Sequence, residues 1–318
     1  MKRIGNLYEQ ITSLKNLQAA DAKAQKGKSN QYGVLLHNKN REGNLFKLQD
    51  MLLSKTYRTS QYDIFPIHEP KERIVYRLPY FPDRITHHAI MNVLEPIFVS
   101  TFTADTYSCI KGRGIHALLH KLNADLKDIK GTQYCLKFDI TKFYPSIDHD
   151  VLKALLRRKF KDPDLLWLLD EIIASAPGLP IGNYLSQYLA NFYLTYFDHW
   201  IKEEKQIKNY YRYADDIVIL HSDKAALHQL LVEIKNYLSD LKLEVKDNHQ
   251  VFPVAARGID FVGYVFRHTY VRVRKSIKQN CARKLSRNPS HSSKPSYLGW
   301  FIHANAKHLT KKLLNEKV

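Results

Sequence analysis

The sequence reads as an α+β fold, and three stretches carry that reading. From Gln133 to Asp139, Tyr134, Leu136 and Phe138 alternate with Gln133, Cys135 and Lys137, the period of a β-strand. Around Ala214-Asp215-Asp216 lie two short runs, Tyr211 to Tyr213 and Ile217 to Leu220, that are aromatic or mostly β-branched, as strand pairs are. Ala225 to Leu241 then sets Leu227, Leu230, Leu231, Ile234, Leu238 and Leu241 on one helical face, fit to cover the back of a sheet.

The remaining elements follow in chain order. Ile4, Leu7, Ile11, Leu14 and Leu17 recur at helical spacing, Lys23 to Asn30 reads as a solvated basic linker, and a second helix is expected from Asn44 to Leu53. From Phe65 to Pro79 basic residues punctuate an extended segment, followed by Pro82-Asp83-Arg84 and a helix opening at Ile85. After Asp139 come Phe143 and Tyr144, then Asp148, placed to cap a helix containing Val151, Leu152, Leu155 and Leu156. Pro163 interrupts, and Leu165 to Ile173 supplies another apolar helix. Gly178 to Gln187 opens a helix that carries Leu189, Phe192, Tyr193 and Tyr196, and Leu243 to Phe252 continues toward the sheet edge.

Composition narrows the function classes. A chain of 318 residues with 44% hydrophobic content holds one large domain or two to three interlocked subdomains. Its formal charge of +18 points to a polyanion, because each lysine or arginine that meets a phosphate releases counterions. No apolar run approaches the roughly 20 residues that span a bilayer, so no membrane partner is expected. Cys109, Cys135 and Cys281 are far apart and odd in number, which suggests neither a disulfide framework nor a zinc module. The first residues lack the apolar core of a signal peptide, and a reducing cytoplasm is the expected location. His116 and His120 have helical i, i+4 spacing, but no third metal ligand is evident beside them.

The adjacent carboxylates Asp215 and Asp216 sit where a buried hairpin tolerates charge only if something neutralises it. A divalent cation held by hard oxygen ligands would do so, and a simple polar turn would read the same way from the pair alone. Asp139 at the end of its strand supplies a third carboxylate able to converge on two ions.

With these residues in view, Asp139 to Asp148 and Tyr211 to Leu220 resemble motifs A and C of reverse transcriptases. Pro66 to Pro79 and Thr106 to His116 resemble the fingers motifs of the same family. Arg257 to Tyr264 resembles its primer-grip turn, and the basic C-terminal segment, with Tyr297 to Trp300 and His303 to Asn305, its short helical thumb. Gly178 to Gln187 is similar to motif B. It departs from most of the family at Ile181, where glutamine is usual, and at Ser186-Gln187, where many bacterial members read Ser-Pro. Those departures resemble the reverse transcriptases of diversity-generating retroelements.

The resemblance implies a right-hand polymerase, which divides into a helical extension (1–64), fingers (65–132 and 150–180), palm (133–149 and 181–267) and helical thumb (268–318). It implies that Asp139, the backbone of Ile140, Asp215 and Asp216 hold two Mg²⁺ ions, with Mn²⁺ as a substitute. Lys71 and Arg73 would grip the nucleotide triphosphate, Tyr144 would exclude a 2′-hydroxyl, and Ile181, Gly182 and Gln187 would line the nucleotide, with Ile181 setting fidelity. Arg84, Lys111, Arg113, Gly263 and Tyr264 would contact nucleic acid, and Lys246 or His249 would donate a proton to pyrophosphate.

The implied partners are template RNA, a primer or cDNA strand, deoxynucleotides and a small, basic, oligomeric accessory protein. The implied activity is RNA-dependent DNA synthesis with errors at template adenines, by which cDNA replaces a variable gene segment in mutagenic retrohoming. A retron, intron-derived or defence-associated reverse transcriptase is the alternative enzyme, and a catalytically idle RNA-binding scaffold the alternative of a different class.

Overall fold

A computed structural model describes residues 3–68, 72–287 and 292–314. The chain divides into two compact units, one of residues 1–103, 142–196 and 241–243, the other of residues 104–141, 197–240 and 244–318.

In the first unit the N-terminal periodicity becomes four helices, α1 (Tyr8–Thr12), α2 (Leu14–Gln25), α3 (Tyr32–Asn38) and α4 (Arg41–Leu53). The break between α1 and α2 falls at Ser13, whose side chain accepts a hydrogen bond from Asn16 N–H at 3.3 Å and so caps α2. The basic linker is shorter than expected, because Lys23 still belongs to α2. All four helices join the body of the unit. Asp21, fully buried on α2, accepts hydrogen bonds from Tyr80 Oη and Arg41 Nε, both at 2.5 Å. The basic segment folds as an antiparallel hairpin of β1 (Asp63–Ile67) and β2 (Arg73–Arg77), with Ile67 opposite Arg73.

Helix α5 (Ile85–Thr101) is the unit's spine, with α1, α2 and a later helix, α10, packed along it. The second unit's only long helix before its main sheet is α6 (Ile115–Asp125), and the chain then returns to the first unit with α7 (Phe143–Ser146), α8 (His149–Lys159), α9 (Pro163–Ala174) and α10 (Tyr184–Tyr193). Asp148 caps α8 as expected, accepting from Val151 N–H at 3.0 Å. Pro163 opens α9 at the first helical position, where its missing N–H costs nothing.

The second unit is built on an antiparallel sheet in the order β4 (Asn209–Tyr213), β5 (Asp216–His221), β3 (Tyr134–Asp139), β6 (Gln250–Pro253). The register puts Cys135 opposite both Leu220 and Phe252, and Tyr211 opposite Val218. These five side chains share one buried cluster with Leu118, Leu119 and Leu122 of α6. Cys135 is therefore core and not the polar alternate of its strand. Alternation turns Leu136, Ile217 and Ile219 to the opposite face, and α12 (Lys224–Asp240) packs along β3, β5 and β6. The short helix α11 (Thr195–His199) leads into this unit.

After α13 (Val254–Arg257), β7 (Ile259–Phe261), β8 (Tyr264–Phe266) and β9 (Val271–Val273) form a second antiparallel sheet. The expected all-helical segment from residue 268 thus begins with a strand, and its helices start later, as α14 (Lys275–Arg287), α15 (Ser293–Phe301) and α16 (Lys307–Leu314). Among the described residues no helix is long and apolar enough to cross a membrane.

The turn between β7 and β8 needs its glycine. Gly263 has φ +92°, and a Cβ there would lie 2.4 Å from the Trp300 ring. Gly263→Ala is expected to cost about 2 kcal/mol by forcing that ring out of a packed core. Urea unfolding measures it, and wild-type stability would show that the ring yields freely.

Candidate active site

The register brings two of the three predicted carboxylates face to face. Asp139 is the last residue of β3 and pairs directly with Asp216, the first of β5, so both side chains leave the same face of the sheet. Asp215 occupies the two-residue turn before it, beside Ala214 at φ +56°, a left-handed conformation that alanine adopts only under constraint.

The constraint is Arg212. Its side chain is fully buried and grips Asp198 of α11 in a two-pronged ion pair, Nε to Oδ1 at 2.7 Å and Nη2 to Oδ2 at 2.5 Å. Its third nitrogen, Nη1, donates to the Ala214 carbonyl at 3.1 Å and ties down the strained turn. Tyr210 Oη and Thr106 Oγ1 donate to the same carboxylate at 2.6 and 3.0 Å. The backbone of Asp105 to Tyr107 pairs with Arg212 from the outer edge of β4. The Thr106 to His116 stretch is distinctive in the sequence, but nothing local joins Thr106, Asp198 or Tyr210 to Arg212. An arginine within an aromatic strand and an aspartate 14 positions earlier carry no local pattern that joins them.

The carboxylates carry the imprint of mutual repulsion. Burial, then the neighbouring Asp139 carboxylate, pushes Asp215 well above the ordinary aspartate range. Asp216 is pushed up to about 6 by burial and by Asp139, against the lowering pull of Lys137. Its Oδ1 is buried with no hydrogen-bond partner, and Lys137 Nζ stands 3.6 Å away. On the other side Lys246 Nζ lies 3.7 Å from Asp139 Oδ2, while the Lys246 N–H donates to the Asp139 carbonyl at 2.9 Å. His249 instead turns its Nδ1 toward the Lys246 carbonyl at 3.1 Å. The Ile140 carbonyl takes part in neither hydrogen bond of the bridge between Ile140 and Val245.

Three converging carboxylates, one with an orphaned buried oxygen, form a donor set that fits a hard divalent cation. Among the described residues no group of three or more His, Cys, Asp or Glu side chains is so placed that it could hold a metal ion as it stands. His303 comes to the pair on α6 only as a ring contact, stacked on His116 with centroids 3.7 Å apart.

The other predicted residues separate by unit. In the second, Lys111 is exposed, and Arg113 is half-buried with Nη1 on the Thr106 carbonyl at 3.4 Å. The Tyr264 ring is fully buried against Trp300 and its hydroxyl donates to the Trp300 carbonyl at 3.1 Å, beside the buried Gly263.

In the first unit Lys71 lies outside the described residues, and Arg73 is exposed at the start of β2. Tyr144, on α7, is half-buried, and its carbonyl accepts from Leu179 N–H at 2.8 Å. The turn before α10 is held against β2: Tyr76 N–H donates to the Ile181 carbonyl at 2.8 Å, and a Cβ on Gly182, at φ +123°, would meet the Tyr76 carbonyl at 2.4 Å. Gln187 is exposed on α10. Arg84 lines a separate basic cavity.

Residues 68–266 match the family model described as reverse transcriptase (RNA-dependent DNA polymerase). The chain belongs to the reverse transcriptase family. It is similar to protein YkfC of Escherichia coli, 25% identical over 260 residues, covering 66% of this chain and 68% of that one. The Retron Ec73 reverse transcriptase of Escherichia coli is 30% identical over 166 residues, 47% of this chain and 50% of that protein. The group II intron-encoded protein LtrA of Lactococcus lactis is 25% identical over 139 residues, 40% of this chain and 23% of that protein. The chain thus spans half or less of the retron and intron-encoded relatives. In fold it is similar to the telomerase of Candida tropicalis, with TM-score 0.53 and 11% identity over 84% of this chain and 58% of that one. An RNA-directed DNA polymerase domain of this family binds template RNA and nucleic-acid substrates and uses divalent metal ions.

Two outcomes test the site. Asp198→Ala leaves the Arg212 charge buried and unpaired, and is expected to cost about 3–5 kcal/mol in unfolding free energy. A loss below 1 kcal/mol would mean the pair does not set the hairpin. The second concerns pH. Asp216 titrates higher folded than unfolded, so between about pH 4 and 6 the folded chain holds the extra proton, and metal-free stability falls as pH rises through that window. In EDTA the melting temperature of Asp216→Asn should gain on wild type from pH 4 to 7, and Mg²⁺ should narrow the gap. A gap independent of pH would remove the buried charge as its cause.

Proposed function

We propose that this reverse transcriptase is the polymerase of a diversity-generating retroelement, copying a template-repeat RNA into cDNA with errors at adenines. The observation that carries the reading is the turn before α10. Ile181 presents only an aliphatic surface where a glutamine would offer hydrogen bonds, and its backbone carbonyl is held by the Tyr76 N–H. Loss of one or two hydrogen bonds, at roughly 1 kcal/mol each, lowers discrimination by about five- to thirtyfold. The small, basic accessory protein expected of that class would join it in binding RNA.

In the proposed mechanism Asp139, Asp215, Asp216 and the Ile140 carbonyl would hold two divalent cations, Mg²⁺ or in its place Mn²⁺. When bound, these ions supply activation of the primer 3′-hydroxyl and neutralisation of pyrophosphate. Lys246, beside Asp139, donates the proton to the leaving group. Arg73, with Lys71, grips the triphosphate, Tyr144 excludes the 2′-hydroxyl by contact, and Gly182 and Gln187 face the nucleotide. Lys111 and Arg113 meet backbone phosphates. Burial of Tyr264 limits the primer-grip segment to backbone contacts.

A second reading is favoured by the relatives, whose names are those of retron and intron-encoded proteins: a retron or intron-derived enzyme of ordinary fidelity. The test copies one RNA with wild type, Ile181→Asn and Asp215→Asn, and sequences the cDNA. The diversity-generating reading expects wild-type errors concentrated at template adenines and reduced about tenfold by Ile181→Asn. Uniform, low wild-type errors would establish the second reading. Asp215→Asn should make no cDNA while still binding RNA; full extension by it would take these aspartates out of the chemistry.

A further inference from the structure

Lys137 lies on β3, an inner strand of the four-stranded sheet, between Val218 of β5 and Gln250 of β6. Alternation puts it on the same face as Cys135, which is core, and Asp139, which is catalytic in the proposed mechanism. Such a position takes an ammonium partly out of water, and the side chain is only 26% exposed. Strand propensity gives no reason for it, since lysine is depleted in strands. A β-branched residue would suit the position better unless the charge is used.

The surroundings hold that charge at one point. Lys137 Nζ donates to the Asp260 carbonyl of β7 and lies over the Phe261 ring, 5.8 Å from its centroid. Asp260 is braced in turn: its Oδ1 accepts from Arg274 Nε at 2.6 Å, and the Arg274 N–H donates to the Gly263 carbonyl at 2.9 Å. From this anchorage Nζ stands 3.6 Å from Asp216 Oδ1, the buried oxygen without a hydrogen-bond partner. At that distance the charges attract strongly, yet no hydrogen bond consumes the oxygen. Lys246 differs, because its side chain is 41% exposed and its Nζ has no comparable anchor on another strand.

We infer that Lys137 is a positioning residue for the polymerase reaction, a counter-ion built into β3 and anchored on β7 that holds the Asp216 carboxylate in place and offsets part of its charge. Asp139 and Asp215 are then left with the larger share of the interaction with divalent cations. The inference rests on the proposed role of the three carboxylates as cation ligands, and it is independent of errors at template adenines. The anchor is what gives Lys137 this role. A loose ammonium would swing away from an arriving cation, whereas one tied to a neighbouring sheet stays, and the site keeps an internal positive charge throughout. Two opposite consequences follow: cation affinity is lower than the bare carboxylates would give, and the position of Asp216 is better defined.

The experiment titrates Mn²⁺ into the full chain without nucleic acid and reads binding by electron paramagnetic resonance. Asp215→Asn marks which binding belongs to the carboxylates. Lys137→Met removes the charge and keeps the length of the side chain, with Lys137→Gln as its substitute if that variant does not fold, and Lys137→Arg keeps the charge. Lys137→Met should bind Mn²⁺ about tenfold more tightly than wild type, because a positive charge has left the site. For the same reason Mg²⁺ should raise its melting temperature more than it raises that of wild type. Its kcat for deoxynucleotide addition at saturating Mg²⁺ should nevertheless fall by about tenfold, because Asp216 is no longer held.

Lys137→Arg should return the Mn²⁺ affinity to within about threefold of wild type. Tighter metal binding together with slower turnover is a pattern that a merely structural lysine would not give, since a loosened fold weakens both. A Mn²⁺ affinity in Lys137→Met equal to or below that of wild type overturns the inference, as does an unchanged kcat. Wild type without a Mn²⁺ site that Asp215→Asn removes would overturn the carboxylate reading, and this inference with it.

Discussion

The candidate catalytic geometry depends on a buried ion pair that never touches it. Arg212 and Asp198 are both fully desolvated, which costs several kcal/mol per ion before any attraction is counted. The geometry recovers that cost with two direct bonds, the Tyr210 and Thr106 hydroxyls on the remaining acceptor positions, and a bond to the Ala214 carbonyl. Only a rigid planar fork serves all of these at once. The consequence reaches the opposite face of the strand. With the Ala214 carbonyl tethered, the two-residue turn cannot relax out of its left-handed conformation, and Asp215 and Asp216 stay beside Asp139. A satisfied charge on one side thus fixes unsatisfied charges on the other.

Those unsatisfied charges are balanced without being saturated. Lys137 and Lys246 stand 3.6 and 3.7 Å from carboxylate oxygens, close enough for attraction and too far for a hydrogen bond. Each lysine is also held elsewhere. Lys137 bonds to the Asp260 carbonyl and lies over the Phe261 ring, and Lys246 is fixed through its backbone to Asp139. The two ammonium groups lower the repulsion of the metal-free cluster while leaving oxygens such as Asp216 Oδ1 open to a harder cation. Had either lysine closed to hydrogen-bond distance, a divalent ion would first have to displace it.

What was legible in the sequence was local. The alternation of Tyr134 to Asp139, the two aspartates between strands, the Asp148 cap and the leucine face of α12 each rest on neighbours within a few residues, and each is where the pattern put it. What was not legible depends on partners far apart. Cys135 looked like the polar alternate of its strand because nothing nearby shows that α6 and the second sheet cover that face. Tyr264 looked like a surface aromatic, although Trp300, 36 positions on, buries it. The N-terminal helices read as an appendage because the buried acceptor that binds them in, Asp21, meets Tyr80 across 59 residues. A polar residue inside a helix announces a surface unless its donors are known.

The distribution of charge completes the argument. A formal excess of +18 does not by itself make a nucleic-acid surface, since an excess spread evenly would repel only itself. Here the acids are spent on internal work. Asp21, Asp162 and Asp198 are buried acceptors of backbone or side-chain donors, and Asp63, Asp105, Asp148, Asp170 and Asp260 each hold a basic side chain. Cations without such partners include Lys28, Arg73, Arg84 and Lys111, in or near the segments that resemble fingers motifs, and Lys275, Lys278, Arg283 and Lys284 of α14. Asp139, Asp215 and Asp216, by contrast, stand close together with Lys137 and Lys246 held off at 3.6 and 3.7 Å, and a metal ion would complete their neutralisation.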